Sequence, residues 1–407
     1  MSTQKSPIVI VGASLAGATA AAALRTQGHE GAIVLVGEEE RAPYERPPLT
    51  KDLLRGESEP DAAAVHEPGF YEENSIDLRL GRRATELRLG EREVVLDDGE
   101  RLAYDKLLLT TGARPRTLDL PGADLDGVVT LRSADDALAL RERIRSGGRL
   151  VVIGGGWIGM EAAASARQSG ADVSIVEALE IPLGRVLGRE MGELFTWVHR
   201  SHGVDVLTGA RLLGLEGSGS VSAVRLEGTE PIEADTVLVG VGVAPRAELA
   251  EAAGLAVSNG IETDALLRTA DEHVFAAGDV AFAEHPRYGR LRVEHWENAR
   301  RQGEAVAASM LGKGEPFDAI PYFFSDQYDV GMEYSGLSDP ADELVVRGDV
   351  DARELIAFWL RDDAVVAGMN VNVWDVQDDI RALIEHGGPV DRAQLADADT
   401  PLCAPSS

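Results

Sequence analysis

The stretch "IVIVGASLAGATAAAALRTQGHEGAIVLVGE" at 8–38 has a counterpart in "VVIGGGWIGMEAAASARQSGADVSIVEA" at 151–178. Each runs from an apolar strand through a small-residue turn into an Ala-rich helix, then to a second strand closed by an acid. That is the sequence form of a dinucleotide-binding βαβ unit. Its repetition limits the chain to architectures that hold two such units.

The second unit has the fuller pattern. Gly154, Gly156 and Gly159 fill G-x-G-x-x-G between strand and helix, with Trp157 and Ile158 inside it. The first glycine permits a tight turn, the second lets backbone approach a pyrophosphate, and the third allows close helix–strand packing. Glu177 ends the following strand, where an acid accepts a ribose 2′-OH and repels a 2′-phosphate. NADH is therefore expected over NADPH. Arg185 in "PLGRVLG" complicates this, because a guanidinium serves a phosphate. The first unit has Gly12 and Gly17 but Ser14 at the middle position, and Glu38 at the strand end. Its alternative reading is plain strand–helix packing without a nucleotide.

Strand-like runs at 7–12, 32–37, 106–112, 149–155, 172–178 and 235–242 alternate with helical periodicity at Ala16–Gln27 and Gly159–Ser169. Such alternation predicts parallel sheets covered by helices. "LDDGERL" at 96–102 predicts an antiparallel hairpin. "HVFAAGDVAF" at 273–282 reads as a buried strand ending at Gly278-Asp279. Asp279 there bonds a ribityl chain or presents amides to a pyrophosphate; the alternative is a surface turn. From Pro321 the chain reads as a three-stranded meander ("ELVVRG", "ELIAFWLRDD", "AVVAGMNVN") followed by a helix.

Bulk properties exclude several classes. The net charge of −30 repels a polyphosphate, so nucleic acid is not expected as a partner. No apolar run has the length of a membrane span, and "MSTQKSP" carries no secretory pattern, so a cytoplasmic protein is expected. Cys403 is the single cysteine, in the tail "DTPLCAPSS", so an intrachain disulfide is impossible. The eight His residues show no metal-ligand spacing; His285 and His295 read as packing or surface residues.

Together with "TTGARP" (110–115, containing Thr111 and Gly112) and "VGVAPR" (241–246), these pieces resemble the two-dinucleotide flavoprotein reductases. "RAPYERPPLTKDLL" (41–54), "TLRSADDA" (130–137), "RVEHWENA" (292–299) and "PYFFSDQYDVGMEYSG" (321–336) narrow the resemblance to ferredoxin reductases that feed bacterial oxygenases. It covers essentially the whole chain. It implies an α/β chain of glutathione-reductase-like architecture, with two Rossmann-like domains and a C-terminal α+β domain. FAD would occupy 1–113 and 242–320, NADH 114–241, and the C-terminal domain 321–407.

By that resemblance Ala16, Glu38, Lys51, Ala84, Arg132, Asp279 and Trp296 fall at FAD contacts. So do Arg46 in "YERPPLT" and the Thr111-Gly112 pair. Lys51 would set an ammonium beside the flavin N5, and Glu161 would pair with that lysine. Alternatives remain at Lys51, a solvated loop lysine, at Arg132, a surface ion-pair partner, and at Trp296, a core or interface residue.

Two nucleotide folds make sense when one holds NADH, a two-electron donor, and the other holds a flavin that releases electrons singly. Thiol-using relatives need sulfur beside the flavin, yet "ERAPYERPPLTK" has none. Electrons are then expected to pass directly to an external [2Fe-2S] ferredoxin serving a cytochrome P450 or ring-hydroxylating oxygenase. Rubredoxin reduction, an NADH oxidase, or an NADH-sensing interaction protein are the alternatives. An acidic ferredoxin needs a basic patch. The densest basic stretch is 285–303, with Arg287, Arg290, Arg292, Arg300 and Arg301. Arg300 and Arg301 are expected to steer the carrier, or else to neutralise neighbouring acids.

Overall fold

The computed structural model describes residues 6–145 and 147–402. Two compact units partition the chain: 1–46, 60–114 and 243–319 form the first; 47–59, 115–242 and 320–407 form the second. The segment 47–59 is grouped with the second unit.

The first unit is built on a five-stranded parallel sheet, ordered 274–276, 106–109, 8–11, 33–36, 76–79. Its central strands, "IVIV" and "IVLV", are buried at every position. A parallel sheet covered on both faces requires continuous apolar runs of this kind. One face packs on the helix Leu15–Thr26, which lies against the helix Trp296–Met310. Small residues permit that approach: a methyl on Gly303 would meet Ala16 O at 2.7 Å and Thr19 Cβ at 3.0 Å. The other face buries Leu87, Val94, Leu96 and Leu102 from an antiparallel sheet of Ala84–Arg88, Glu93–Leu96 and Arg101–Ala103. The Asp-Gly hairpin at 96–102 lies in that sheet.

The second unit repeats the parallel design, ordered 205–207, 172–176, 149–153, 236–239, 128–129. An antiparallel ribbon, 212–218 with 220–226 and 232–233, covers one face through Leu215, Val221 and Val224. The C-terminal part is a five-stranded antiparallel sheet, ordered 322–327, 330–336, 364–371, 354–361, 343–349. This corrects the three-stranded meander expected from the sequence. Polar residues in "YFFSDQ" hide the first added strand: Ser325 and Gln327 face inward beside Phe323, so polarity does not alternate with burial. The helix Gln377–His386 seals one face with Ile380, Leu383 and Ile384.

Candidate functional site

The two glycine-rich turns are built alike. Gly12 (φ +119°) and Gly154 (φ +108°) occupy backbone conformations that L side chains rarely adopt. Gly12 N donates to Val36 O at 2.8 Å and Gly154 N to Val176 O at 2.9 Å. A Cβ on Gly17 would strike Gly12 O, and one on Gly159 would strike Gly154 O. The third position is thus fixed by the protein's own packing in both units.

The middle position obeys a different constraint. A Cβ on Gly156 would meet no protein atom within 4 Å, so nothing in the fold demands glycine there. The space it leaves lies at the start of the twelve-residue helix Trp157–Gln168, whose first turn has no side-chain cap. Ser14 holds the matching place before Leu15–Thr26, with an extended backbone and no side-chain cap bond. Uncapped N–H groups behind a cleared turn form an anion cradle. On this test both turns fit a dinucleotide pyrophosphate, more openly at Gly156 than at Ser14.

The acids that close the βαβ units differ. Glu177 is half-buried and accepts Gly155 N–H at 2.6 Å and Leu179 N–H at 2.8 Å. Its carboxylate therefore braces the turn it neighbours. Ile158 is exposed, 39%, in the first helical turn, and Arg185 is exposed at the start of the helix Gly184–Ser201. Glu38 is exposed and pairs with Arg246 at 2.6 Å. Arg246 is the last residue of "VGVAPR", and its backbone ties down "TTGARP": Arg246 N donates to Gly112 O at 2.9 Å, and Thr111 Oγ1 donates to Arg246 O at 2.7 Å. Thr110 Oγ1 donates to Gly12 O at 2.8 Å. Thr110 and Arg246 are thus supports of the first turn that the sequence pattern does not single out.

Other first-unit candidates gather around Gly278-Asp279. Gly278 N donates to Gln302 Oε1 at 2.8 Å, and a Cβ added at Gly278 would meet Ala16 Cβ at 3.1 Å. Arg46 bonds Glu39 at 3.1 Å. Burial opposes its charge, but Tyr44, Glu39 and Asp279 outweigh it and raise its pKa. Burial pulls the His295 imidazole down to about 4, with Asp279 pulling the other way. His285 is a buried packing residue near Tyr288 and Phe317. Ala84 begins an edge strand of the antiparallel sheet. Trp296 opens the helix that carries Arg300 and Arg301. Both arginines are engaged by acids of the same helix: Arg300 with Glu297 (2.9 Å) and Glu304 (2.7 Å), Arg301 with Glu297 (2.7 Å).

In the second unit, Lys51 and Glu161 meet. Lys51 Nζ lies 3.0 Å from Glu161 Oε1 and 3.9 Å from Asp326 Oδ2, and 5.0 Å from the Phe324 ring centroid. The consecutive prolines before it, Pro47 and Pro48, fix φ in the single turn Pro47–Thr50 that delivers the lysine. Glu161 is 7% exposed and takes two further donors, Thr50 Oγ1 at 2.5 Å and Ser325 Oγ at 2.6 Å. Ser165 Oγ bonds Thr50 O at 2.6 Å. Burial raises the Asp326 carboxyl; Lys51 opposes that, and Glu161 and Asp52 add to it. The outcome is an ammonium held by one buried carboxylate and bordered by an aromatic face. Arg132 N donates to Asp136 Oδ2 at 3.0 Å, just before the helix Ala134–Arg145. Cys403 lies outside the described residues.

Comparison with known proteins accounts for both halves of this arrangement. Residues 6–303 match the pyridine nucleotide-disulphide oxidoreductase family, and residues 322–404 match the reductase C-terminal family. Rhodocoxin reductase of Rhodococcus erythropolis is 37% identical over 97% of this chain and 93% of its own. The ferredoxin–NAD(+) reductase component of the anthranilate 1,2-dioxygenase system of Burkholderia cepacia is 39% identical over 96% and 97%. The crystal structure of the covalent putidaredoxin reductase–putidaredoxin complex contains a chain that superposes with a TM-score of 0.93 at 35% identity, covering 98% and 97%. A chain with two dinucleotide turns of one backbone design, followed by an antiparallel C-terminal sheet, thus belongs to the pyridine nucleotide-disulphide oxidoreductase family, in its branch with a reductase C-terminal domain.

Proposed function

We propose that this protein is an NADH:ferredoxin oxidoreductase that moves electrons from NADH through FAD to a [2Fe-2S] ferredoxin serving a cytochrome P450 or ring-hydroxylating oxygenase. The observation that carries the reading is the pair of matching turns in a chain with one cysteine. Two dinucleotides can be held, while no thiol pair exists to stand between them and an outside acceptor. The relatives named above, including one solved in complex with its carrier, support the same conclusion.

FAD, when bound, supplies a carrier that takes electrons in pairs and gives them up singly. The protein does the rest. Gly154, Gly156 and Gly159 cradle the NADH pyrophosphate, with Ile158 beside it. Glu177 holds the turn and meets the ribose hydroxyls; Arg185 stays at the rim, where its charge does not override the acid. Gly12, Ser14, Ala16 and Gly17 take the FAD pyrophosphate, Glu38 its ribose, and Gly278 and Asp279 its ribityl region. Arg46, Ala84, Thr111, Gly112, Arg132 and Trp296 complete the FAD contacts. Lys51, oriented by Glu161, presents fixed positive charge to the flavin ring where negative charge gathers on reduction. FAD is assigned to 1–113 with 242–320, NADH to 114–241, and 321–407 is the C-terminal domain. Arg300 and Arg301 contribute to docking of the carrier. Among the described residues no helix is long and apolar enough to cross a membrane, which together with the acidic composition supports a cytoplasmic location.

Assay of the purified protein with NADH against [2Fe-2S] ferredoxins, rubredoxins and air tests the reading. Flavin absorbance with rapid ferredoxin reduction is the expected result. Protein that takes up no FAD, or that turns over fastest with oxygen alone, refutes it.

A further inference from the structure

A hydrogen-bonded series runs within the second unit from Glu161 through the strand Tyr322–Gln327 to His199. Ser325 Oγ donates to Glu161 Oε1 at 2.6 Å, and Gln327 Nε2 donates to Ser325 Oγ at 3.2 Å. Gln327 Oε1 then lies 2.8 Å from His199 Nε2, and the Tyr328 hydroxyl 3.4 Å from His199 Nδ1. The number of available hydrogens sets the direction. Ser325 has one, and the carboxylate takes it, so the serine must receive the Gln327 N–H. That turns the amide oxygen toward His199, places the imidazole hydrogen on Nε2 and leaves Nδ1 to accept from Tyr328. Every donor in the series therefore points toward Glu161.

The series is costly to build. His199 is fully buried, and Ser325 and Gln327 are 1% exposed. Apolar side chains of similar volume would fill this space without the desolvation penalty. The far end is strained as well. Tyr328 sits at φ +59° in the turn between Tyr322–Gln327 and Val330–Gly336, a conformation unfavourable for a bulky residue. Its ring stacks on His202, with centroids 3.7 Å apart and planes at 8°. Burial draws the His199 imidazole down to about 4; Gln327 resists this and His202 adds to it. The imidazole is thus neutral, and the series keeps one polarity, across the neutral range.

We propose that His199 and Gln327 are positioning residues for the electron-transfer reaction: through Ser325 they fix the Glu161 carboxylate and, through it, the Lys51 ammonium. The proposal rests on the reading that Lys51 serves the flavin. Its chemistry asks nothing further of the series, which holds a geometry and transfers no proton.

The test uses the FAD-loaded protein with His199→Leu, Gln327→Leu and His199→Gln. The Gln amide N–H of the last occupies the place of the imidazole Nε2–H. Two readouts are taken, the rate of flavin reduction by NADH and the 15N signal of the Lys51 ammonium. His199→Leu and Gln327→Leu are expected to slow flavin reduction about fivefold, the worth of one hydrogen bond between neutral groups. KM for NADH stays unchanged while the Lys51 signal shifts or broadens. His199→Gln is expected to retain both wild-type values. Wild-type rate and signal in the two leucine variants overturn the proposal, as does a His199→Gln loss equal to that of His199→Leu. If His199→Leu does not fold, Ser325→Ala breaks the last link with less volume lost, and wild-type behaviour there overturns the proposal equally. Lys51→Met with an undiminished rate of flavin reduction would instead sink the reading of Lys51, while its 15N signal in the other variants still reports on the series.

Discussion

Substituting Glu177 by Gln separates its two roles, bracing the turn and setting coenzyme choice. The carboxylate now accepts two backbone N–H groups, Gly155 at 2.6 Å and Leu179 at 2.8 Å. An amide keeps one acceptor and turns its NH₂ toward the other donor, so one bond to a charged group is lost. Half exposure lets water replace part of it, leaving a loss of about 1 kcal/mol in the order of the turn, or roughly fivefold in kcat/KM for NADH. The same change removes a negative charge where NADPH brings its 2′-phosphate. At a partly exposed site that repulsion is worth about 1.5 kcal/mol, a gain of about tenfold for NADPH that the shared loss in the turn cuts to a net rise of about twofold in kcat/KM. The loss in the turn cancels in the ratio of the two coenzymes, which therefore falls about tenfold. Initial rates with ferricyanide as acceptor measure it directly without the carrier. Glu177→Ala, which loses both bonds, lowers both coenzymes further but keeps the NADH-to-NADPH ratio of the glutamine variant. A coenzyme ratio unmoved by either substitution, or a native preference for NADPH, would refute the reasoning.

Gly156→Ala is expected to leave thermal stability unchanged and to raise KM for NADH about tenfold, because only the ligand needs that space. Gly159→Ala, which meets the Gly154 carbonyl, costs about 1–3 kcal/mol of stability, read as a lower denaturant midpoint. Stability should also depend on His199. Its pKa falls from 6.5 to about 4 on folding, so between those values the unfolded chain binds more protons. Stability is complete above pH 6.5 and is lost as pH drops toward 4, by about 3 kcal/mol. Denaturant midpoints taken across that window should show the loss in the native protein and a smaller one in His199→Gln. Reversing charge at Arg300 and Arg301 together is expected to raise KM for ferredoxin about threefold to tenfold at low salt, with NADH–ferricyanide rates unchanged. Their pairing with Glu297 and Glu304 keeps the effect at this modest level.

Features confined to one βαβ unit are legible in the sequence, because strand, turn, helix and acid lie within about 30 residues. The glycine spacing at 154–159 and the acid at 177 need no distant partner to be recognised. The support around Lys51 is different. Thr50 and Ser325 reach Glu161 across 111 and 164 residues, and a hydroxyl in a loop or strand carries no spacing that marks it. Thr110 and Arg246 are hidden for the same reason, since their partners come from separated segments. In "YFFSDQ" the inward-facing serine and glutamine look like solvent-side residues until the sheet is assembled. Polar groups that bond across long separations are read from tertiary structure, whereas turns that require glycine are read from local sequence.

The division of the chain has a consequence for synthesis. Boundaries at 46/47, 59/60, 114/115, 242/243 and 319/320 mean that neither unit is one continuous stretch. The first parallel sheet takes its edge strand from Val274–Ala276, beside Lys106–Leu109. A growing polypeptide must therefore carry the Gly12 turn with one sheet edge unpaired until more than half the message has been translated. No single cut separates the two units.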